Sequence, residues 1–253
     1  RICNYFFMIK KKISTIIYEN IKTLGGALII AILIRSILFQ PFYIPSSSME
    51  PTLLVGDRIF VSKYAYGFSK HSFPFSPNIS NKRFFSKKPK RGDLVVFKTP
   101  ADNRTDYIKR LIGLPGDTIQ FVKGDLFINE KIINKTIINN SISIRCGNFN
   151  LETNLFFETL PNGVKHLVVY KKNGSLQNTK KFEVPLNHYF LLGDNRDCSK
   201  DSRYLEDVGY VNNINLVGKA KVIFFSNNTN ISSFLKFWNL GKSFRFERLF
   251  KKL

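Results

Sequence analysis

The sequence predicts a mainly β protein in which an N-terminal transmembrane helix is followed by an all-β body with a small inserted lobe. Three observations lead to this fold class. A long apolar run stands near the N-terminus, and short apolar runs separated by glycine-containing turn signals fill the chain beyond residue 57. The sequence has no repeat of about 20–50 residues, which would indicate a solenoid or a propeller.

Composition limits the kind of protein before any element is assigned. The chain has 253 residues, and 39 Lys+Arg against 18 Asp+Glu give a formal net charge of +21. A hydrophobic content of 43% with 25 Phe excludes a disordered basic tail. The charge indicates a polyanionic surface nearby, either nucleic acid or anionic lipid, and composition does not choose between them. The Cys and His residues lack metal-ligand spacing, so we expect no metal and no cofactor.

Residues 23–44 are predicted to span a membrane. The run Leu24–Ile34 is apolar on every side, and a span needs about 20 mostly apolar residues. Lys22 and Arg35 would lie about 20 Å apart along the helix, so each charge can reach its own membrane surface. A cleavable signal peptide and a buried core helix are the alternatives. They are weaker because no small-x-small site follows the run and the run has no polar face.

The basic residues before this span predict its orientation. Lys10–Lys12 lie in residues 1–22, so the positive-inside rule gives a cytoplasmic N-terminus. Everything after Phe42 is then expected outside, since long domains translocate largely regardless of charge. The chain begins with Arg1 rather than Met, which leaves Arg1 and Met8 as candidates for the true start.

Beyond the span, short β-like runs alternate with turn signals. We assign residues 45–128 and 186–225 to one β body. Residues 129–185 are predicted to be an inserted lobe, and residues 226–253 a basic amphipathic tail. In residues 68–90, Phe alternates with Lys and Arg, which favours a surface that enters the membrane interface. The predicted strand runs are 58–61, 93–97, 107–112, 120–122, 125–128, 166–170, 189–192 and 219–225.

Three segments of the body carry candidate chemistry. The cluster Ser46–Ser48 offers a nucleophile, which needs a base, and none of the His residues has a suitable context. Lys109 shares a strand face with Tyr107, and an apolar setting would lower its pKa enough for it to act as that base. A snorkelling edge lysine is the structural alternative. The polar segment Gly193–Arg203 follows an apolar strand, and its basic residues argue against a calcium-type loop.

Together these segments strongly resemble bacterial type I signal peptidases, the membrane-anchored Ser/Lys proteases that remove signal peptides from exported proteins. They occur in the family's order and cover roughly residues 24–122 and 186–225. The matching segments are Pro45–Leu53, Gly56–Asp57, Arg91–Phe97, Tyr107–Asp117 and Gly193–Arg203.

The resemblance implies a role for each matched residue. It makes Ser48 the nucleophile and Lys109 the general base, with the Ser46 hydroxyl helping the Ser48 N–H to form an oxyanion hole. Ser199 would orient the lysine, and Asp201 with Arg203 would form a supporting ion pair. The small apolar pockets for the −1 and −3 residues of the cleavage site would be lined by Phe42, Ile44, Pro45, Leu53, Tyr107 and Ile108.

The resemblance also implies the setting of the reaction. The partners would be precursors that carry signal peptides, together with membrane lipid, and we expect a monomer that binds no nucleic acid. The protein would be a single-pass protein of the bacterial inner membrane, with its catalytic domain on the periplasmic side. Cys198 departs from the family's common Asn, and whether it bonds with Cys146 is left open.

Three alternatives were weighed against this prediction. A self-cleaving repressor-type peptidase would carry a helix-turn-helix where this chain has an apolar span. A pilus- or conjugation-type processing peptidase of the same superfamily would share the chemistry, so it stays open. A non-enzymatic, membrane-tethered basic module explains the charge but gives Ser48 and Lys109 no role.

Overall fold

A single N-terminal helix, α1, runs from Ile2 to Ile37. The computed structural model describes residues 2–73, 76, 77, 80, 82–172, 178–227 and 244–253. Within α1, Thr15–Arg35 is long and apolar enough to cross a membrane, and none of it is buried against the rest of the protein. This stretch of 21 residues is about 31 Å long, close to the thickness of a bilayer core of about 30 Å.

The predicted span of residues 23–44 is wrong at its C-terminal end. The helix stops at Ile37, and Phe39–Tyr43 form the first strand, β1, which pairs antiparallel with Asp57–Ser62. Pro41 explains the early end, because proline lacks the N–H that a helix needs and disfavours helical geometry in the residue before it.

The mainly β fold class is confirmed. The predicted runs recur as strands with boundaries that shift by a few residues at most. In chain order the strands are β1 Phe39–Tyr43, β2 Asp57–Ser62, β3 Leu94–Lys98, β4 Asp106–Gly113, β5 Thr118–Val122, β6 Asp125–Ile128, β7 Lys131–Ile132, β8 Lys135–Cys146, β9 Phe149–Thr159, β10 Lys165–Lys171, β11 Phe182–Glu183, β12 His188–Leu192, β13 Val211–Asn212, β14 Leu216–Ser226 and β15 Lys251–Lys252.

In the main sheet, β1 and β2, which follow the helix, lie next to β14 from the C-terminal part of the chain. Its strand order is β1-β2-β14-β3-β4-β12-β13, with β15 added to β14, and these pairs are antiparallel. Strand β4 therefore lies between β3 and β12. A core cluster that includes Ile44, Met49, Leu53 and Ile59 packs against one region of this sheet. Because Met49 and Leu53 lie in the loop between β1 and β2, this cluster fixes that loop to the sheet.

Residues between β4 and β12 form two smaller sheets. One has the order β11-β5-β6-β7, and the other is the hairpin stack β10-β9-β8. Residues 118–128 therefore pair within the small sheets, whereas the sequence predicts them in the main body. They do so because Lys123 and Gly124 make a tight turn with positive φ, which folds β6 back on β5.

The C-terminal residues return to the body. Most of the predicted amphipathic tail, residues 228–243, lies outside the described residues. Residues 244–253 pack on the sheet, where β15 pairs with β14 and Arg248 Nε donates to Asp57 Oδ1 at 3.0 Å. Asp57 is completely buried and also accepts from Ser226 Oγ at 2.6 Å. Residues 244–253 therefore contribute to the fold of the β body.

Candidate active site

Ser48 and Lys109 meet beside β4, an inner strand of the main sheet. Ser48 lies in the loop between β1 and β2, and Lys109 projects from β4. Their Oγ and Nζ atoms are 2.6 Å apart, although 61 residues separate them in the sequence. Ser48 is 8% exposed and Lys109 is 3% exposed, so the pair is nearly closed off from water.

The surroundings of Lys109 favour its neutral form. Burial lowers the pKa of the amine to about 8 from an ordinary value of 10.5, although Asp201 and Asp194 act in the opposite direction. Nζ also lies 3.1 Å from the carbonyl oxygen of Ile108 and 5.3 Å from the centre of the Tyr107 ring. An appreciable fraction of the amine is therefore free to accept a proton near neutral pH. This burial argues against the snorkelling edge lysine.

An apolar cavity of about 300 Å³ opens beside the pair. Five of the six predicted substrate-binding residues line it together with Ser46, Ser48 and Lys109, and these five are Phe42, Ile44, Pro45, Tyr107 and Ile108. Leu53 does not line the cavity, because its side chain is completely buried in the core cluster underneath. Ser46 Oγ is 3.4 Å from Ser48 Oγ, at the same cavity wall.

The loop after β12 holds the backbone of the serine cluster. The Asn195 N–H donates to the carbonyl of Ser48 at 3.2 Å, and Asn195 Nδ2 donates to the carbonyl of Ser47 at 3.2 Å. Gly193 permits this approach. A Cβ atom there would lie 2.5 Å from the Ser48 carbonyl oxygen and 2.2 Å from Ser199 Oγ. Only glycine fits without moving one of these groups.

Asp201 and Arg203 form the ion pair that the resemblance implies. Arg203 Nε and Nη2 donate to the two carboxylate oxygens at 2.8 and 2.9 Å, and the Gly193 N–H donates to Asp201 Oδ2 at 3.0 Å. Burial raises the pKa of Asp201, but Arg203 and the hydrogen bonds to the carboxylate together hold it below the ordinary value. Ser199 Oγ is buried near this carboxylate, and it makes no well-aligned hydrogen bond with a described residue. Ser199 packs beside Gly193, and its role in orienting Lys109 stays a prediction.

A buried ionic network behind the pair was not predicted. Arg110, the neighbour of Lys109, points away from it and forms a bidentate ion pair with Asp194. Its Nε donates to Oδ1 at 2.8 Å and its Nη2 donates to Oδ2 at 2.6 Å. Thr52 Oγ1 donates to the same carboxylate at 2.6 Å. Beyond it, Arg196 Nη1 donates to Glu158 Oε2 at 2.8 Å. The β-strand alternation of Lys109 and Arg110 was the available signal, because it places an arginine on the opposite face.

A disulfide links Cys146 with Cys198, which settles the pairing that the sequence left open. Cys146 ends β8 in the inserted region, and Cys198 lies in the loop that carries Ser199. The bond therefore ties the lobe to the loop that holds the Ser48 backbone. Cys198 Sγ is also 3.9 Å from Ser47 Oγ.

The geometry suits covalent chemistry at a hydroxyl. A hydroxyl beside a partly neutral amine can attack a carbonyl while the amine accepts its proton. The adjoining apolar cavity can hold small side chains next to that carbonyl. Among the described residues, no group of three or more His, Cys, Asp or Glu side chains is placed to hold a metal ion.

Comparison with known proteins defines the class first and then the family. The family model described as "Signal peptidase, peptidase S26" matches residues 17–225, which identifies a serine peptidase. Signal peptidase I of Rickettsia typhi is 41% identical over 243 residues, covering 88% of this chain and 89% of the relative. Signal peptidase I of Rickettsia akari is 42% identical over 217 residues, covering 79% and 77%. This chain belongs to the signal peptidase family.

One solved structure is also similar. A signal peptidase I from Enterococcus faecalis shares 28% identity, covers 53% of this chain and 97% of its own, and has a TM-score of 0.32. The family match confirms the resemblance found in the sequence. Membership of this family implies a serine peptidase hydrolase and supports the removal of signal peptides, which argues against a non-enzymatic basic module.

Proposed function

We propose that this protein cleaves N-terminal signal peptides from exported precursors with a Ser48/Lys109 dyad, after small residues at −1 and −3. The observation that carries the proposal is the 2.6 Å contact between Ser48 Oγ and a buried amine whose pKa is about 8. A neutral Lys109 accepts the hydroxyl proton as Ser48 attacks the scissile carbonyl. The protonated amine then donates to the leaving amine, and a water molecule hydrolyses the acyl-enzyme.

Ser46 and the Ser48 N–H supply the proposed oxyanion hole. The 3.4 Å between the two serine hydroxyls keeps Ser46 beside the attacking atom. Each preorganised donor contributes about 3 kcal/mol of transition-state stabilisation in sites of this kind. The positioning residues act on this geometry indirectly. Asn195 holds the Ser48 carbonyl, and Asp201 with Arg203 holds Gly193.

The apolar lining of the cavity supports a preference for apolar side chains beside the scissile bond. Ile44 and Ile108 line it together with Ser48, and we propose that side chains larger than Ala at −1 displace the carbonyl from the hydroxyl. The partners in this proposal are precursors with small residues near their cleavage sites and the lipid of the membrane. We propose that the protein acts as a monomer and binds no nucleic acid.

The proposed location is the bacterial inner membrane, with the N-terminus in the cytoplasm and the body on the periplasmic side. Thr15–Arg35 supplies a candidate span of suitable length. The Cys146–Cys198 disulfide supports an external body, since disulfides persist in oxidising compartments. The basic residues Lys10–Lys12 before the span support the orientation.

Cleavage of a precursor tests the proposal. The full chain in detergent is incubated with a precursor carrying Ala at −1 and −3, and the N-terminus of the product is sequenced. We expect cleavage after the −1 Ala, and its loss by at least about 10³-fold in Lys109→Met, which replaces the base with an apolar chain of similar length. Lys131→Met is the matched control, because Lys131 is exposed on β7. An active Lys109→Met variant would exclude the lysine base.

The substrate side has its own control. The same precursor with Phe at −1 should be cleaved at least about 100-fold more slowly, because in the proposed mode of binding a ring at −1 displaces the carbonyl from Ser48. Equal cleavage of the Ala and Phe precursors would contradict the small-residue preference. Cleavage at an unrelated site would favour a processing peptidase of another specificity.

A further inference from the structure

A second cavity lies between the end of α1 and the apolar substrate cavity. Its volume is about 420 Å³, and its lining includes four Arg or Lys residues beside uncharged polar side chains. Arg35, Lys63, Lys98 and Arg104 contribute positive charge, and Asp106 contributes the opposing carboxylate. We call this cavity the cationic pocket. It shares Phe42 and Asp106 with the substrate cavity, so the two cavities adjoin.

The positive charge of the pocket is poorly compensated. Asp106 pairs with Lys98 at 2.9 Å, but Arg35, Lys63 and Arg104 form no salt bridge with any described residue. Lys63 is 2% exposed, and its Nζ donates to the carbonyl of Ser72. Burial followed by the charge of Arg35 lowers its pKa to about 8, although Asp106 acts in the opposite direction. A buried amine under these conditions is stabilised by an incoming anion. The pocket is therefore built for a negatively charged ligand.

The pocket has a fixed place relative to the candidate span. Arg35 is the last residue of the apolar stretch Thr15–Arg35. The Lys63 N–H donates to the carbonyl of Leu38 at 3.1 Å, which joins the pocket wall to the end of the helix. The rings of Phe39 and Tyr64 meet edge to face with centroids 5.7 Å apart at the same junction. If α1 spans the membrane, the pocket lies at the depth of the lipid headgroups.

We propose that the cationic pocket binds the phosphate group of an anionic phospholipid in the outer leaflet. This inference rests on the membrane anchoring in the proposed function. Arg35 and Arg104 contact the phosphate from the exposed side, and Lys63 faces it from the buried side. The acyl chains lie along the exposed apolar side chains of Ile34, Ile37 and Leu38. A free phosphate ion would use the cations but gain nothing from these apolar side chains.

The neighbouring substrate cavity gives the bound lipid a consequence. Asp106 belongs to both linings, and Phe42 forms the wall between the two cavities. A phosphate held in the cationic pocket therefore fixes one wall of the substrate cavity at the membrane surface. The lipid would be a positioning ligand that touches neither Ser48 nor Lys109.

Binding of short-chain lipids to the full protein in detergent tests the proposal. Native mass spectrometry measures the affinity for dioctanoyl-phosphatidylglycerol, dioctanoyl-phosphatidylcholine and inorganic phosphate. We expect phosphatidylglycerol to bind most tightly, because it combines net negative charge with acyl chains. Equal binding of phosphatidylcholine would overturn the charge requirement. Binding of inorganic phosphate as tight as that of phosphatidylglycerol would assign the pocket to a soluble anion and overturn the lipid.

A matched pair of double variants locates the site. Arg35→Gln with Arg104→Gln removes two exposed pocket charges and should weaken phosphatidylglycerol binding about 30-fold. Lys131→Gln with Lys165→Gln removes two exposed charges elsewhere and should change it less than threefold. An equal loss of phosphatidylglycerol affinity in the two double variants would mean that the lipid is attracted by net charge alone, which would overturn the proposed site. If the double variant unfolds at a lower temperature than the unmodified protein, Arg104→Gln alone replaces it, with an expected loss of phosphatidylglycerol affinity of about fivefold.

Two outcomes separate this inference from the proposed function. The binding assay needs neither catalysis nor a membrane, so a chain that fails to cleave precursors can still bind the lipid at the pocket. A protein that cleaves precursors but shows no lipid preference would overturn the pocket alone. Displacement of the lipid by an acidic peptide at equal concentration would assign the pocket to the precursor and also overturn the proposal.

Discussion

In the proposed mechanism one amine, that of Lys109, must be neutral when Ser48 attacks. Burial lowers the pKa of Lys109 toward neutrality, and the carboxylates of Asp201 and Asp194 lie near enough to limit this shift. Both carboxylates are already paired with arginines, at Arg203 and Arg110. This pairing reduces their pull on the Lys109 proton. The buried arginine–aspartate pairs therefore support the base as well as the loop structure.

Activity should rise with pH through the pKa of Lys109. The protonated amine cannot accept the Ser48 proton, so the rate should increase about tenfold per unit below pH 8 and level off above it. Initial cleavage rates of the full chain between pH 6 and 10 measure this. Lys63 has a lowered pKa of about 8 as well. Lys63→Met separates the two amines: if Lys109 is the base, the midpoint of the pH–rate profile should not change in this variant. A rate that is already at its plateau at pH 6 would exclude Lys109 as the base.

Gly193 should be intolerant of any side chain. In Gly193→Ala, the added Cβ would lie within 2.5 Å of the Ser48 carbonyl oxygen, so the serine or the loop must move. A displacement of about 1 Å typically costs about 100-fold in rate, and we expect kcat to fall by that factor with KM less affected. Gly26→Ala is the control, because a Cβ there meets nothing within 4 Å. Equal kcat values for the two variants would contradict the close packing.

At the scale of elements, local sequence patterns predicted eight of the fifteen described strands and none of their partners, and they missed the hairpin of β8 and β9. The runs around Lys109 and the strand before Gly193 were readable because apolar residues cluster between turn signals. The pairing of residues 118–128 with β11 could not be predicted, because the two segments are about 60 residues apart in the sequence and no local pattern links them. The helix end was misplaced because the apolar run continues past Ile37 into β1. The contact of Ser48 with Lys109 was expected from the family resemblance, whereas strand alternation indicated the face of Arg110 but not its partner Asp194.

The disulfide is expected to stabilise the catalytic loop and the lobe together. It closes a loop with a sequence separation of 52, for which the chain-entropy model gives about 4 kcal/mol. Cys146→Ser with Cys198→Ser should lower the free energy of unfolding by up to this amount, measured by denaturant titration in detergent. Cys3→Ser is the control, because Cys3 lies in α1 outside the disulfide. No loss of stability in the double variant would show that the lobe and loop are held by their other contacts.

At the scale of the whole molecule, the net charge of +21 is divided among different tasks. Lys10–Lys12 bear on orientation, and the cationic pocket concentrates other charges where α1 meets the body. Phe85, in the aromatic-basic stretch 68–90, is 84% exposed, which supports the predicted interfacial surface. Several residues of that stretch lie outside the described residues. The buried side chains of Arg110, Arg196 and Arg248 form internal ion pairs with Asp194, Glu158 and Asp57.

The orientation of the chain can be measured directly. If α1 spans the membrane with its N-terminus in the cytoplasm, added protease should digest the body in right-side-out vesicles and spare it in inverted ones. Immunoblotting of the body after digestion reads out the result, and detergent lysis of the inverted vesicles provides the control for protease action. Digestion of the body in intact inverted vesicles would contradict the proposed topology.

The central claim, that Ser48 is the nucleophile, is tested most directly by comparing three adjacent serines. Cleavage rates are measured for Ser46→Ala, Ser47→Ala and Ser48→Ala in the full chain, each with its melting temperature as a control for folding. We expect a loss of at least about 10⁴-fold for Ser48→Ala, about 100-fold for the oxyanion residue Ser46, and less than tenfold for Ser47. A folded Ser48→Ala variant that keeps more than a tenth of the activity would contradict the account.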